Sequence, residues 1–217
     1  MHAIHVFDAY GTLFDVHAAI ARHAAAAGPD AARLSELWRS KQLEYSWTLT
    51  LAGQYRDFET LTAEALDFAL TRFPSVDKSL RPALLSAYRT LDAYPDAQSC
   101  LAALKARGAP TAILSNGSPD MLQAAVQAAG LAPWLDAVLS VDSLRLFKPR
   151  PEVYALVTAH FGCKPQDVLF VSSNRWDVMG AAAFGFRPIW INRAGNPDEY
   201  RAHPPLRIVA ELQALLA

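Results

Sequence analysis

No run of about 18 apolar residues occurs anywhere in the 217-residue chain, which excludes a membrane-spanning helix. There is no block of like charge either: 20 Lys and Arg stand against 21 Asp and Glu, a formal net charge of −1. Nucleic acid is therefore not expected as a partner, because a phosphate backbone needs clustered Lys and Arg. A small anion remains open, since one or two buried cations suffice for it. Cysteine is scarce. Cys100 and Cys163 lie far apart with no CxxC or CxxH neighbour, so they read as two free thiols in a reducing cytosol. The six histidines, His2, His5, His17, His23, His160 and His203, form no metal-ligand spacing and are expected in surface or packing roles. The N-terminus has no basic segment followed by an apolar core; strand-like Ile4–Phe7 begins almost at once, and the expected location is cytoplasmic. Internal repeats and low-complexity segments are also missing.

What is present is core-forming material. Apolar residues make up 52% and charged residues 19%, so the chain is globular and long enough for one domain or a core with an insertion. From about residue 16 to 91 the periodicity is helical. Leu34, Leu37, Trp38 and Lys41 recur at three-to-four spacing, as do Leu61, Ala65, Phe68 and Ala69. Asp30 and Asp57 look like helix N-caps. Four or so helices and no strong strand are expected there.

From Asp96 onward strand and helix alternate. Helices are predicted over 97–106, 119–129, 151–161 and 178–184, the first, second and fourth closed by Gly108, Gly130 and Gly185. Strands are predicted over 110–114, 137–141, 168–171 and 188–191. Wholly apolar strands alternating with helices imply a parallel sheet covered on both faces. The fold class is thus α/β: a Rossmann-like parallel sheet core of residues 1–14 and 96–217, with a helical-bundle cap inserted at 15–95.

Open parallel sheets bind ligands at the carboxyl ends of their strands. Asp8, Ser115-Asn116 and Ser172-Ser173-Asn174 each follow an apolar strand, so they are expected to meet in one crevice. A carboxylate there can attack carbon and form an ester, splitting a hard displacement into two steps. Lys148, stiffened between Phe147 and Pro149, could keep Asp8 ionised. Ser115-Asn116-Gly117-Ser118 leads from a strand into a helix and suits an anion, with simple capping by Ser118 as the plainer role. Asp177 near a helix start could complement the helix dipole or orient water. Asp8 and Asp177, with Lys148 competing for both, make a thin set for Mg²⁺, and no metal or cofactor is expected.

Several segments together carry a resemblance. They are Asp8-Ala9-Tyr10-Gly11-Thr12-Leu13-Phe14-Asp15, Leu37-Trp38-Arg39, Lys41-Gln42-Leu43-Glu44-Tyr45, Ser115-Asn116-Gly117, Phe147-Lys148-Pro149 and Val171-Ser172-Ser173-Asn174-Arg175-Trp176-Asp177. Collinear over almost the whole chain, the set resembles the L-2-haloacid dehalogenases, a family of the haloacid dehalogenase-like superfamily. Phosphatases of that superfamily carry a second Asp two residues after the nucleophile, which protonates the leaving oxygen. Tyr10 stands there instead, which favours a leaving group that needs no proton. Metal-dependent members place an acidic pair where Ser173 and Asn174 stand.

The resemblance implies hydrolysis of short L-2-haloalkanoic acids to 2-hydroxy acids with inversion. Asp8 would attack the halogen-bearing carbon, and water oriented by Asp177, with help from Asn174 and Lys148, would hydrolyse the ester. Ser115 would hold the substrate carboxylate. Arg39 and Asn116 would accept the halide. Thr12, Ser172 and Tyr154 would orient the reacting groups, and Tyr10 and Trp176 would line an apolar pocket for the alkyl group. A homodimer is also implied. One departure is Ser40, where a polar amide is expected after the cap arginine. A Mg²⁺-dependent phosphatase or phosphonatase on the same fold is the alternative; it explains Asp8, Ser115 and Lys148 but not Tyr10. A non-enzymatic scaffold is a third reading, opposed by intact Asp8, Lys148 and Asp177.

Overall fold

The computed structural model describes residues 3–217; His2 lies outside them. Among the described residues six strands form one sheet in the order β3-β2-β1-β4-β5-β6, every neighbouring pair parallel. The strands are β1 (Ile4–Phe7), β2 (Thr111–Ser115), β3 (Ala137–Ser140), β4 (Val168–Ser172), β5 (Arg187–Ile191) and β6 (Arg207–Val209). β1 and β2 are buried along their whole length, as expected of central strands covered on both faces. β6 was not anticipated. It is three residues long with Arg207 and Ile208 exposed, too short and too open to leave an apolar signature.

Helices α6 (Ala97–Ala106), α7 (Pro119–Ala128), α8 (Pro151–Phe161) and α9 (Arg175–Phe184) connect the strands. α9 begins three residues earlier than expected, so Asp177 lies in its first turn and not ahead of it. Ser118 caps α7, its hydroxyl accepting from Met121 N at 3.4 Å. Chain order makes β1 the switch point: β2 and β3 extend the sheet to one side, β4 to β6 to the other. Such a reversal opens a crevice beyond the strand ends.

Between β1 and α6 lie α1 (Ala18–Ala21), α2 (Ala24–Ala27), α3 (Ala31–Leu51), α4 (Phe58–Arg72) and α5 (Arg81–Arg89). Entry and exit run side by side: Asp15 N donates to Asp92 O, Tyr94 N donates to Leu13 O, and Phe14 bridges Ala93. α3 packs on α4 through Leu34, Trp38, Leu61 and Ala65, all buried, with Trp38 Nε1 donating to Thr62 O at 2.8 Å. The stripe on α4 is not uniformly buried, and one expected cap fails. Phe68 stays on the outer face, 37% exposed, where the Lys41 ammonium covers its ring at 4.6 Å. Asp30 precedes α3 without capping it; a 3₁₀ turn over Gly28–Asp30 feeds directly into the helix, and the carboxylate takes Arg33 and Ser75 instead. Asp57 does cap α4, accepting from Thr60 N at 2.8 Å.

Candidate active site

The register of the sheet assembles the site. Phe7 pairs with Ile113 on one side and Val171 on the other. The next residue, Asp8, therefore emerges between the ends of β2 and β4, its N–H bonded to Val171 O. The chain then turns at Gly11, whose φ of 89° lies in the left-handed region that glycine enters without strain. A Cβ there would also press on Ser173 Oγ at 3.2 Å. The turn brings Thr12 back under Asp8.

Asp8 is buried, and both oxygens are held. Oδ1 accepts from Lys148 Nζ at 3.0 Å. Oδ2 accepts from Asn174 Nδ2 at 2.8 Å, Thr12 Oγ1 at 3.1 Å and Ser172 Oγ at 3.5 Å. These donors are fixed in turn. Thr12 Oγ1 accepts from Ser173 N, and Ser172 Oγ from Asn174 N. An ionised carboxylate with this many donors is oriented as well as solvated.

Lys148 is 1% exposed. Its three ammonium protons meet three acceptors: Asp8 Oδ1, Leu114 O at 2.7 Å and Asp177 Oδ2 at 2.8 Å. Burial pushes the ammonium pKa down, Asp177 and Asp8 pull it up, and the net direction is upward. The lysine stays charged at neutral pH. Asp177 is 0% exposed, with Tyr154 Oη donating to its Oδ1 at 2.7 Å. Burial raises the Asp177 carboxyl, Lys148 lowers it and Asp8 raises it, leaving it at about 6 against an ordinary 3.8.

Tyr154, expected to orient the reacting groups, meets Asp177. Its ring is fully buried and its hydroxyl stands behind Asp177, where it positions a carboxylate. Gly180 makes this possible: a Cβ there would collide with Tyr154 Oη and lie 2.6 Å from Pro149 Cβ.

On the anion side, Ser115 Oγ accepts from Gly117 N at 3.1 Å. Asn116 Oδ1 accepts from Lys148 N at 3.0 Å, which turns its amide nitrogen away from that contact. Gly117 lies under the Tyr10 ring; a Cβ would approach Tyr10 Cε2 at 2.9 Å. Tyr10 is 3% exposed, stacks on Tyr88 with centroids 5.6 Å apart and packs on Phe58 at 5.7 Å. Arg39 descends from α3, Nη2 donating to Tyr10 O at 3.3 Å. Its Nη1 and the Tyr10 hydroxyl are buried without a partner among the described residues. Ser40 is exposed.

Trp176 is half-buried and meets Trp47 edge-on at 5.3 Å. Both line a cavity of about 330 Å³ with Leu51, Phe147, Pro149 and Met179. A larger hollow of about 580 Å³ lies beside edge strand β3, lined by Leu122, Val138 and His160 among others, and contains none of these site residues.

Thus Asp8, Thr12, Lys148, Ser172, Asn174 and Asp177 stand in one hydrogen-bonded group, with Tyr10, Arg39, Ser115, Asn116 and Trp176 around it. Sequence reasoning missed Phe58, Tyr88, Gln42, Thr62 and Gly180. A signal existed for Gln42, a lone amide one turn beyond Leu34 and Trp38 on a buried stripe.

Among the described residues no cluster of three or more His, Cys, Asp or Glu is arranged to hold a metal ion. Lys148 Nζ occupies the point between the two site carboxylates.

A protein-family model described as haloacid dehalogenase-like hydrolase matches residues 4–185. The chain is 51% identical to (S)-2-haloacid dehalogenase 4A of Burkholderia cepacia, covering 98% of this chain and 94% of that one. It is 50% identical to (S)-2-haloacid dehalogenase 1 of Pseudomonas sp. strain CBS-3, over 97% and 93%. It also superimposes on the structure of the L-2-haloacid dehalogenase from Xanthobacter autotrophicus with chloropropionic acid covalently bound. There the TM-score is 0.91 and identity 41%, over 99% and 97% of the two chains.

Proposed function

Since the chain belongs to the haloacid dehalogenase-like hydrolases and, within them, to the (S)-2-haloacid dehalogenases, we propose that it converts short L-2-haloalkanoic acids to 2-hydroxy acids through an ester on Asp8. The enzyme is a hydrolase of carbon–halogen bonds. The carrying observation is the three-acceptor lysine: Lys148 spans Asp8 and Asp177 with every proton placed. One carboxylate is thereby held in place for attack and the other set beside it for water.

An Asp8 oxygen attacks C2 from the side opposite the halogen. The C–O bond forms as the carbon–halogen bond breaks, C2 inverts, and the halide leaves with the electron pair. Asn116 and the open Nη1 of Arg39 receive it, because preorganised donors stabilise developing negative charge best in a dry site. Ser115 and the neighbouring N–H groups hold the substrate carboxylate. Water, oriented by ionised Asp177, gives that carboxylate a proton as its oxygen adds to the Asp8 carboxyl carbon. The bond from that carbon to the ester oxygen breaks, the leaving alkoxide takes the proton back from Asp177 and departs as the hydroxy acid, and Asp8 keeps one oxygen from water. Thr12, Ser172 and Asn174 hold Asp8 through both steps. Tyr10 and Trp176 present apolar surface to the alkyl group.

The Mg²⁺-dependent phosphatase or phosphonatase alternative is disfavoured. Its acid is replaced by Tyr10, whose hydroxyl pKa burial and Tyr88 drive well above 10. The proposal includes the division of labour between a core (1–14, 96–217) and a cap (15–95), no required cofactor, a cytoplasmic setting, and a homodimer meeting through cap helices. Exposed Leu51, at 85%, supports the last point; sedimentation at micromolar concentration tests it.

The deciding assay is halide release from separate enantiomers of 2-chloropropionate with excess chelator. Release from the L form only, indifferent to chelator and absent in Asp8→Asn, is expected. Mg²⁺-dependent phosphate release without halide release would overturn the reading.

A further inference from the structure

Where the chain crosses from core to insert and back, a core arginine grips it. Arg193 stands two residues beyond β5 on a braced turn. Asn192 N donates to Val209 O at 2.7 Å, and Asn196 N donates to Asn192 Oδ1 at 2.8 Å. From this mount the guanidinium makes three contacts. Nη1 donates to Asp96 Oδ2 and Nη2 to Asp96 Oδ1, each at 2.9 Å, and both side chains are mostly buried. The guanidinium also lies over the Tyr94 ring, 4.1 Å from its centroid. Nη2 reaches Thr12 O as well, at a long 3.5 Å.

Asp96 is turned towards this pair at the expense of a simpler role. It occupies the N-cap position of α6 but caps nothing, although an aspartate there ordinarily spends its carboxylate on the helix. Its Oδ2 accepts instead from Leu212 N at 2.7 Å, and both oxygens face Arg193. The contacts bracket the hinge. Thr12 precedes Leu13, whose carbonyl accepts from Tyr94 N at 2.8 Å. Arg193 thus touches the chain entering the insert and the chain leaving it. Thr12 in turn holds Asp8 through Oγ1, and Arg39 lies beyond the hinge on α3.

We propose that Arg193 is a positioning residue that clamps this crossing and so fixes the insert, with Arg39, over Asp8. The inference rests on the reading of Asp8 as nucleophile and Arg39 as the halide-binding cation. A planar guanidinium that pairs through two nitrogens and stacks on a ring holds one orientation, which a lysine does not. An insert free to rock takes Arg39 off the line of the breaking bond, and a misplacement of about 1 Å slows such a step by up to about 10²-fold.

The test pairs single-turnover halide release from L-2-chloropropionate, well below each variant's Tm, with amide exchange at the hinge. The Asp15 and Tyr94 amides, which donate to Asp92 O and Leu13 O, report the crossing. Arg193→Met is expected to slow release at saturation about tenfold or more. The half-saturating concentration moves less than about threefold, because the core residue Ser115 holds the substrate carboxylate. The two hinge amides exchange faster while those of β1 and β4 do not. Arg193→Lys recovers only part of the rate. Asp96→Asn, which keeps an acceptor for Leu212 N, shifts both readouts the same way if Arg193→Met fails to fold. A lower Tm with unchanged release, or faster hinge exchange with unchanged release, overturns the inference. Full recovery in Arg193→Lys also overturns it, since charge alone would then suffice. No halide release from the wild type would sink the reading of Asp8, and unchanged hinge exchange in Arg193→Met would still overturn the clamp.

Discussion

The two halves of the site are built on opposite plans. At the strand ends of the core the charged groups are saturated: Lys148 spends three protons on three acceptors, Asp8 takes four donors and Asp177 is held by Lys148 and Tyr154. On the cap side, donors are left over: Arg39 Nη1 and the Tyr10 hydroxyl are buried with no partner among the described residues. Saturation suits groups that must react from one geometry. Vacancy suits groups that must receive an anion that does not exist until the carbon–halogen bond breaks. A buried unpaired donor costs stability, and within the site that cost falls on Arg39 and Tyr10.

Breaking the saturated half has the largest expected effect. Lys148→Met leaves Asp8 and Asp177 buried together without compensation, a destabilisation of about 3–5 kcal/mol at pH 8. The loss shrinks at pH 5, where Asp177 can take up a proton. Chemical denaturation at both pH values measures it, and a pH-independent loss would mean the ion pairs are not its source. Gly180→Ala forces Tyr154 and Pro149 to move, so Asp177 loses its placement. Halide release falls by about 10²-fold, while the added Tyr154→Phe in the same background costs little more.

Acid sharpens the contrast through Asp177. Its folded value of about 6 exceeds the ordinary 3.8, so the native state binds the proton more tightly than the unfolded chain. This group therefore favours folding as pH falls from above 6 towards 4, with its full contribution present below 3.8, and that contribution is lost as pH rises through 6. Activity runs the other way. The base is ionised above about 6, and the ester-hydrolysis step is expected to slow about tenfold per unit below it. Single-turnover release of hydroxy acid at pH 5 and pH 8 tests this; a flat profile would remove Asp177 from the water step.

The mildest change lies at the seam between the halves. Tyr55, in the loop between α3 and α4, donates to Asp142 Oδ1 at 2.6 Å and stacks on Phe147 at 5.2 Å. Tyr55→Phe keeps the stack and loses one partly buried hydrogen bond, about 1 kcal/mol. A small fall in Tm with little change in halide release is expected. A large rise in KM would mean that this contact sets cap closure.

The fold was legible where patterning is local. Strand-length apolar runs, Pro119 and Pro151 at helix starts and glycines at helix ends located the core elements. Where a signal was weak or ambiguous, reading failed: β6 is short and exposed, Phe68 shares a helical stripe but not its burial, and Asp30 has a cap's chemistry without a cap's backbone angles. In the site, strand-end position singled out Asp8, Ser115 and Ser172. Tyr88, Thr62 and Gly180 carried no comparable mark, because a tyrosine, a threonine or a glycine in a helix is usually packing or surface.

The amino-acid order alone determined which residues end strands, which start helices and that Asp8 lacks an acid two positions on, since these depend on neighbours a few bonds away. Only the tertiary structure decided that Lys148, 140 residues from Asp8, bridges it to Asp177. The same holds for Tyr154 standing behind that pair and for the hydrogen-bonded chain from Thr62 through Gln42 to Tyr88. Those relations depend on sheet register and helix packing. Each is a distance of about 3 Å set by the simultaneous fit of several elements, and no local pattern encodes it.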